Sequence, residues 1–141
     1  MAVVVAAGGV LGSVARYGLS VVLPTEPQNF PWGTFVTNVA GCALLGALLA
    51  LLPDAAGPHV LIRTFLGPGV LGGFTTFSAF SVESVALLSA GRAQPAMGYV
   101  LGTVLAALAG VQVGSMAARL LVRRALVPRA GFDRRRAERP E

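Results

Sequence analysis

Hydroxyl and aromatic side chains are concentrated in residues 72–81, in the middle of a long apolar stretch. The segment contains four hydroxyl side chains and three phenylalanines, and it begins with two adjacent glycines. Lipid offers no hydrogen-bond partner to a hydroxyl group or to an interrupted helix. At membrane depth such a segment is expected to face protein, water or an ion, which makes it a candidate permeation or binding site.

Two further pairs of polar side chains recur at helical spacing in the neighbouring apolar stretches. Thr34 and Asn38 would lie one turn apart on one face of a helix, as would Tyr99 and Thr103. The first pair fits a polar clasp between helices and a pore lining equally well. Tyr99 also suits an interfacial anchor, because it lies near the start of its stretch. Thr103 lies deeper, where a hydroxyl needs a partner.

The remaining candidates are two phenylalanines and two ionisable residues. Phe77 and Phe80 are three residues apart, and such pairs in membranes usually serve packing. In a polar channel, however, the positive ring edge can face an anion. Arg16 and Glu83 lie within apolar stretches, where each could cap a helix or pair with the other.

The sequence contains almost none of the residue combinations that catalysis requires. His59 is its only histidine and Cys42 its only cysteine, so neither a disulfide nor a metal-binding cluster can be assembled from them. No nucleophile–base pair, phosphate-binding loop or pair of carboxylates is recognisable. The sequence therefore predicts a protein that is not an enzyme.

Four apolar stretches must position these side chains, at about residues 2–23, 31–52, 59–90 and 96–122. Hydrophobic residues make up 55% of the chain and charged residues 12%, and 22 helical residues reach about 33 Å, enough to cross a bilayer. We expect an all-α integral membrane domain over 1–123 with four transmembrane helices. The third is expected to be broken at 67–69 and 72–73, and a loop is expected at 91–95.

The charge distribution predicts orientation. All 11 basic residues are arginines, and eight of them lie from Arg119 onward. The positive-inside rule therefore places the tail, residues 124–141, in the cytoplasm, and its composition predicts disorder. A basic arm directly after a membrane span favours contact with anionic lipid over nucleic-acid binding.

Glycines spaced four residues apart predict close contacts between helices. These pairs are Gly8/Gly12, Gly98/Gly102 and Gly110/Gly114. Four helices alone hardly enclose a pore, so oligomerisation is expected.

Three segments resemble the fluoride channel family (Fluc, also called CrcB): residues 12–17, 34–41 and 72–78. The similarity extends over about residues 5–120. It implies an antiparallel dimer of four-helix subunits with two pores, which conduct fluoride passively across a prokaryotic plasma membrane. It also implies a structural sodium ion at the dimer centre, held by the backbone carbonyls of Gly72 and Thr75 from both chains.

The resemblance assigns the pore as well. The positions that match pore-lining or fluoride-contacting residues of the family are Asn38, Phe77, Phe80, Thr34, Tyr99, Thr103 and Ser78. Arg16 matches the arginine of the aqueous vestibule, where its field would concentrate anions. Glu83 matches a family acidic residue whose role is left open.

This chain departs from the family at a few positions. Ala79 and Ala107 stand where hydroxyl residues are usual, which puts the conduction rate and the competence of each pore in question. The arginine tail gives a strong orientation bias, so the dimer could pair this chain with a related, oppositely inserted one instead of a second copy. Two other functions are compatible with its size: a small multidrug exporter, which would need a carboxylate in the first span, and a non-transporting scaffold.

Overall fold

The structure, a computed structural model, describes residues 1–26, 29–52 and 58–126. Its elements in chain order are α1 (Ala2–Val22), α2 (Trp32–Leu51), α3 (Pro58–Thr64), a π-helical segment (Phe65–Leu71), α4 (Gly72–Phe74), α5 (Phe77–Ser89) and α6 (Ala93–Leu126). Four stretches are long and apolar enough to cross a membrane: Ala2–Val22, Trp32–Leu51, His59–Ser89 and Ala93–Ala125. The predicted all-α class and the four spans are confirmed.

The third span is broken, but not where the glycines suggested. The break predicted at 67–69 is wrong, because this segment continues as wide π-helical turns that contain Pro68. A proline lacks the N–H of an α-helical hydrogen bond and its ring crowds the preceding turn, and a π-helix can accommodate both effects. Gly72 and Gly73 are helical too, so the break predicted at 72–73 is also wrong.

The chain leaves the helix at Thr75 and Thr76, whose backbones are extended (ψ 158° and 120°). We refer to residues 58–74 as the first half of the third span and to α5 as the second half. The Thr76 side chain caps α5 by accepting a hydrogen bond from the Ala79 amide at 3.2 Å. Threonine is a favoured residue at this position because its oxygen satisfies one of the unpaired amides of the first turn.

The turn between α5 and α6 is shorter than the loop predicted at 91–95. Gly91 adopts a left-handed conformation (φ 73°), and the Arg92 amide bonds to the Leu87 carbonyl at 3.0 Å. This is a Schellman ending, in which glycine avoids the strain that a side chain would suffer. The helix α6 begins at once and tolerates Pro95 in its first turn.

Helix α6 continues to Leu126, through the predicted boundary at residue 123. Its 34 residues span about 51 Å, more than the hydrocarbon core requires. Residues 127–141 of the predicted disordered tail lie outside the described part of the chain.

The helices pack as two close pairs. Helix α1 lies against the first half of the third span, with Gly8 and Gly12 at the contact, and α2 lies against α6, with Gly110 and Gly114 at the contact. Two of the three predicted glycine pairs are thus confirmed as contact points. The third is not: a Cβ on Gly98 or on Gly102 would meet no described atom within 4 Å.

Candidate functional site

Asn38 of α2 holds the break in the third span. Its amide nitrogen Nδ2 donates to the Thr76 carbonyl at 3.0 Å, and its oxygen Oδ1 accepts from the Thr76 backbone amide at 2.8 Å. The side chain therefore pairs with both backbone polar groups of one residue, as a neighbouring β-strand would. Since lipid cannot satisfy these groups, Asn38 is what makes an extended residue tolerable at this depth.

The same arrangement withdraws two amides from the helical hydrogen-bond ladder. In a continuous helix the Thr76 amide would bond to the Gly72 carbonyl, and the Ala79 amide would bond to the Thr75 carbonyl. Here the Thr76 amide donates to Asn38, and the Ala79 amide donates to the Thr76 hydroxyl. The carbonyl oxygens of Gly72 and Thr75 thus lose the donors that a continuous helix would give them.

Two of the predicted polar residues, Thr34 and Tyr99, form a cluster with the carboxylate of Glu83. The Thr34 hydroxyl donates to Glu83 Oε1 at 2.9 Å, and the Tyr99 hydroxyl donates to Oε2 at 2.7 Å. Tyr99 is fully buried and Glu83 is half-buried. Both oxygens of the Glu83 side chain therefore have a hydroxyl donor inside the membrane span, where lipid offers none.

Removing the Tyr99 hydroxyl is expected to destabilise the protein. Tyr99→Phe would leave Glu83 with one fewer donor, at a cost of about 1–3 kcal/mol for a buried acceptor that loses a partner. The matched control is Tyr17→Phe, because Tyr17 is 71% exposed and is the only other tyrosine. Thermal unfolding in detergent should show a lower midpoint for Tyr99→Phe and no shift for Tyr17→Phe. Equal midpoints for the two variants would contradict the assigned role of this hydroxyl.

Aromatic rings lie directly beside this cluster. The ring centroids of Phe80 and Tyr99 are 5.3 Å apart, and those of Phe77 and Phe80 are 5.9 Å apart. Phe80 packs against the core formed by Leu87 and Tyr99. Phe77 is different, since 80% of its side chain is exposed in the single chain.

Arg16 closes the end of the first half of the third span. Its Nε donates to the Gly73 carbonyl at 3.2 Å, with the Ser13 hydroxyl at 3.5 Å from the same oxygen. A cation at a helix C-terminus interacts favourably with the helix dipole. The sequence allowed Arg16 either to cap a helix or to pair with Glu83, and in the structure Arg16 caps a helix. Ser78 lies near the break, with its hydroxyl 3.3 Å from that of Thr76.

A groove of about 590 Å³ is lined by six of the residues that the sequence analysis assigned to the pore or the sodium site. We call it the central groove. It runs between α2, both halves of the third span and α6, and the candidates among its lining residues are Asn38, Gly72, Thr75, Phe77, Phe80 and Thr103. Arg16, Thr34, Ser78 and Tyr99 do not line it. The structure thus divides the predicted set between this groove, the Glu83 cluster, the Arg16 cap and the break.

Thr103 is the least satisfied polar group in the groove. Its side chain is only 5% exposed, and its hydroxyl oxygen has no hydrogen-bond partner among the described residues. A buried hydroxyl without a partner costs about 1–3 kcal/mol, so a group that accepts its proton would be bound favourably there.

Sequence reasoning missed several contributors to the site. Thr76 escaped notice, although a threonine just before a helical run is a recognisable cap signal. Arg63 and Cys42 also line the central groove, and neither was singled out as a site residue from the sequence. Cys42 could have been found, since it follows Asn38 by four residues and shares its face.

Comparisons with known proteins agree on one family. Residues 3–115 match the family model described as CrcB-like protein, Camphor Resistance (CrcB). The chain is 52% identical over 112 residues to the "Fluoride-specific ion channel FluC 2" of Nocardia farcinica, covering 79% of this chain and 80% of that relative. It is 47% identical over 110 residues to the "Fluoride-specific ion channel FluC" of Paracoccus denitrificans, covering 78% and 87%. For "FluC 2" of Thermobifida fusca the identity is 43% over 121 residues, covering 86% and 90%.

Proposed function

The chain belongs to the CrcB-like family, and from this premise we propose that it is a fluoride-selective channel that exports fluoride passively across the plasma membrane. The relatives named as fluoride-specific channels support this function. The single observation in the site that carries it is the buried hydroxyl of Thr103 in the central groove, which has no hydrogen-bond partner among residues 1–26, 29–52 and 58–126.

The donors around the groove suit a small, strongly hydrated anion. Fluoride must exchange its water for good hydrogen-bond donors, or the cost of desolvation blocks its entry. Thr103 offers a neutral hydroxyl, and the edges of Phe77 and Phe80 offer positive partial charge. Neutral groups of this kind bind an anion without the deep trap that a cationic site would create, so the ion can also leave.

A structural sodium ion fits the backbone at the break. A hard cation prefers oxygen ligands, and irregular backbone in a membrane protein commonly supplies them. Gly72 and Thr75 both line the central groove, and the amides that would bond to their carbonyls in a continuous helix donate to Asn38 and to the Thr76 hydroxyl instead. When bound at a dimer centre, sodium would supply a fixed positive charge that holds together the broken third spans of the two subunits.

The channel is proposed to work as an antiparallel dimer. A single chain leaves the central groove open and Phe77 largely exposed, and a second subunit could cover both. Two copies of this chain or a related partner would serve equally well for this purpose. The arginines from Arg119 onward favour one orientation in the membrane and hence a cytoplasmic tail. An antiparallel homodimer needs both orientations, so this bias favours pairing with a related, oppositely inserted chain.

Export needs no energy source other than the membrane potential. Hydrogen fluoride crosses membranes as a neutral acid and dissociates in the less acidic cytoplasm, where the charged ion is trapped. The negative interior then drives the anion outward through any selective pore.

A growth experiment tests this function. Expression of the full chain in a bacterium that lacks its own fluoride channel should restore growth in fluoride, most clearly in acidic medium, where more hydrogen fluoride enters. Failure to restore growth both alone and together with a related second chain, despite normal membrane insertion, would count against the proposal. If growth returns only with a related second chain, the channel is a heterodimer.

Replacement of Thr103 is expected to slow conduction selectively. Thr103→Val keeps the shape of the side chain but removes the donor, so fluoride would lose one replacement for its water. A loss of about 1–2 kcal/mol of stabilisation at the barrier corresponds to a decrease of about 5- to 30-fold in flux. Thr103→Ser keeps the hydroxyl and should retain most of the flux. Efflux from liposomes, measured with a fluoride electrode, would contradict the role of this hydroxyl if valine conducted as well as serine.

A further inference from the structure

A second groove lies on the other face of α2, away from the break in the third span. We call it the lateral groove. It holds about 290 Å³ between α2 and α6 and is lined by Ala43, Leu44, Ala47, Leu51, Gly114, Ala117, Ala118 and Leu121. The lining is apolar throughout. None of these residues lines the central groove.

The shape of the lateral groove suits a hydrocarbon chain. Its floor consists of alanines and a glycine, because Gly114 brings α6 close to the backbone of Ala43. Leucines stand at its sides, and Leu44, Leu51 and Leu121 are all more than half exposed. From Gly114 to Leu121 the groove extends about 10 Å along α6, the length of several methylene groups.

A positive charge lies at one end of the lateral groove. Leu51 is the last residue of α2, so this end coincides with the end of the second span. Helix α6 continues beyond it, with Arg123 and Arg124 in its last turn. At about 100° per residue, Arg124 lies within about 20° of Ala117 around the helix, whereas Arg123 lies about 120° away. From Leu121, the last lining residue of α6, the two angles are about 60° and about 160°. Arg124 is therefore the nearer of the two arginines to the groove side of α6.

We infer that the lateral groove, together with Arg124, is a binding site for one anionic phospholipid of the surrounding membrane. An acyl chain would fill the space between α2 and α6, and the headgroup phosphate would lie against the Arg124 guanidinium, which matches phosphate geometry. A zwitterionic lipid could fill the same groove, so the charge is what would select the lipid. One arginine near a membrane surface favours an anionic lipid by about fivefold.

The test is the composition of the lipid that the full chain retains. The chain is reconstituted into vesicles with equal amounts of phosphatidylglycerol and phosphatidylcholine, and lipids that stay bound after extraction are counted by native mass spectrometry. Wild type should retain phosphatidylglycerol in preference to phosphatidylcholine. Arg124→Gln should lower this preference by about fivefold, whereas Arg123→Gln should leave it near the wild-type value. An equal ratio in wild type, or an equal loss from both variants, would overturn the site.

A second pair of variants tests the groove itself. Ala117→Leu places a larger side chain in the lateral groove and should lower the retention of both lipids. Ala109→Leu adds the same volume at an exposed position of α6 that lines neither groove, and it should change nothing. Unchanged retention in Ala117→Leu would overturn the proposal. The readout is bound lipid, so its failure would leave the proposed conduction of fluoride untouched.

Discussion

Asn38→Asp is expected to reduce fluoride efflux by about 100-fold or more. The aspartate can still accept from the Thr76 amide, but it loses the Nδ2 donor and turns a carboxylate oxygen toward the Thr76 carbonyl, now 3.0 Å from that nitrogen. Losing a donor to a buried carbonyl costs about 1–3 kcal/mol. A negative charge beside an anion pathway adds a further barrier. About 2.7 kcal/mol at the barrier corresponds to 100-fold in rate.

The matched control for this prediction is Asn29→Asp. Asn29 is the only other asparagine, and it is exposed in the loop before α2, where its amide bonds to Glu26. Efflux from liposomes should be within about twofold of wild type for this variant, since a surface substitution away from the site changes little. Comparable flux from both variants at equal protein content would show that Asn38 does not organise the pathway.

Gly114→Ala is expected to prevent correct packing of α2 against α6. An added Cβ would lie 2.7 Å from the Ala43 carbonyl carbon and 3.1 Å from its Cα, and closer still to the carbonyl oxygen. These are backbone atoms, so no side-chain rotation can relieve the overlap and the helices must separate. Overpacking of this kind costs about 1–3 kcal/mol where side chains can adjust, and more is expected here.

Gly98→Ala on the same helix is the control for packing. A Cβ at Gly98 would meet no described atom within 4 Å, and alanine favours a helix over glycine by about 1 kcal/mol. In size-exclusion chromatography, Gly114→Ala should lose most of its monodisperse peak, and Gly98→Ala should keep it. If Gly114→Ala behaved like wild type, the close α2–α6 contact would be wrong.

The hydropathy pattern predicted the four spans because a bilayer imposes their length. The existence of a break could also be predicted, since hydroxyls and glycines at that depth require one. Its position could not. Glycine and proline at 67–69 permit a break, but buried contacts with α1 hold this segment in wide helical turns. The break falls at Thr76 because Asn38, 38 residues away, pairs with its backbone.

The candidate site shows the same limit. Spacing alone placed Thr34 with Asn38 and Tyr99 with Thr103, since each pair shares a helix face. The structure divides both pairs: Thr34 and Tyr99 donate to Glu83, whereas Asn38 and Thr103 line the central groove. Helical periodicity specifies a face, but the choice of partner depends on how α2, α5 and α6 pack. Only Thr103 among these hydroxyls and amides is without a partner in the described ranges.

The ratio of fluoride efflux to chloride efflux tests the central claim most directly. The full chain is reconstituted into liposomes loaded with either salt, and release is started with a potassium ionophore, so that only passive anion movement is measured. The account predicts rapid fluoride release and chloride release at the background of empty liposomes. Equal release of both anions, or no fluoride release from correctly inserted protein with or without a related partner chain, would contradict it.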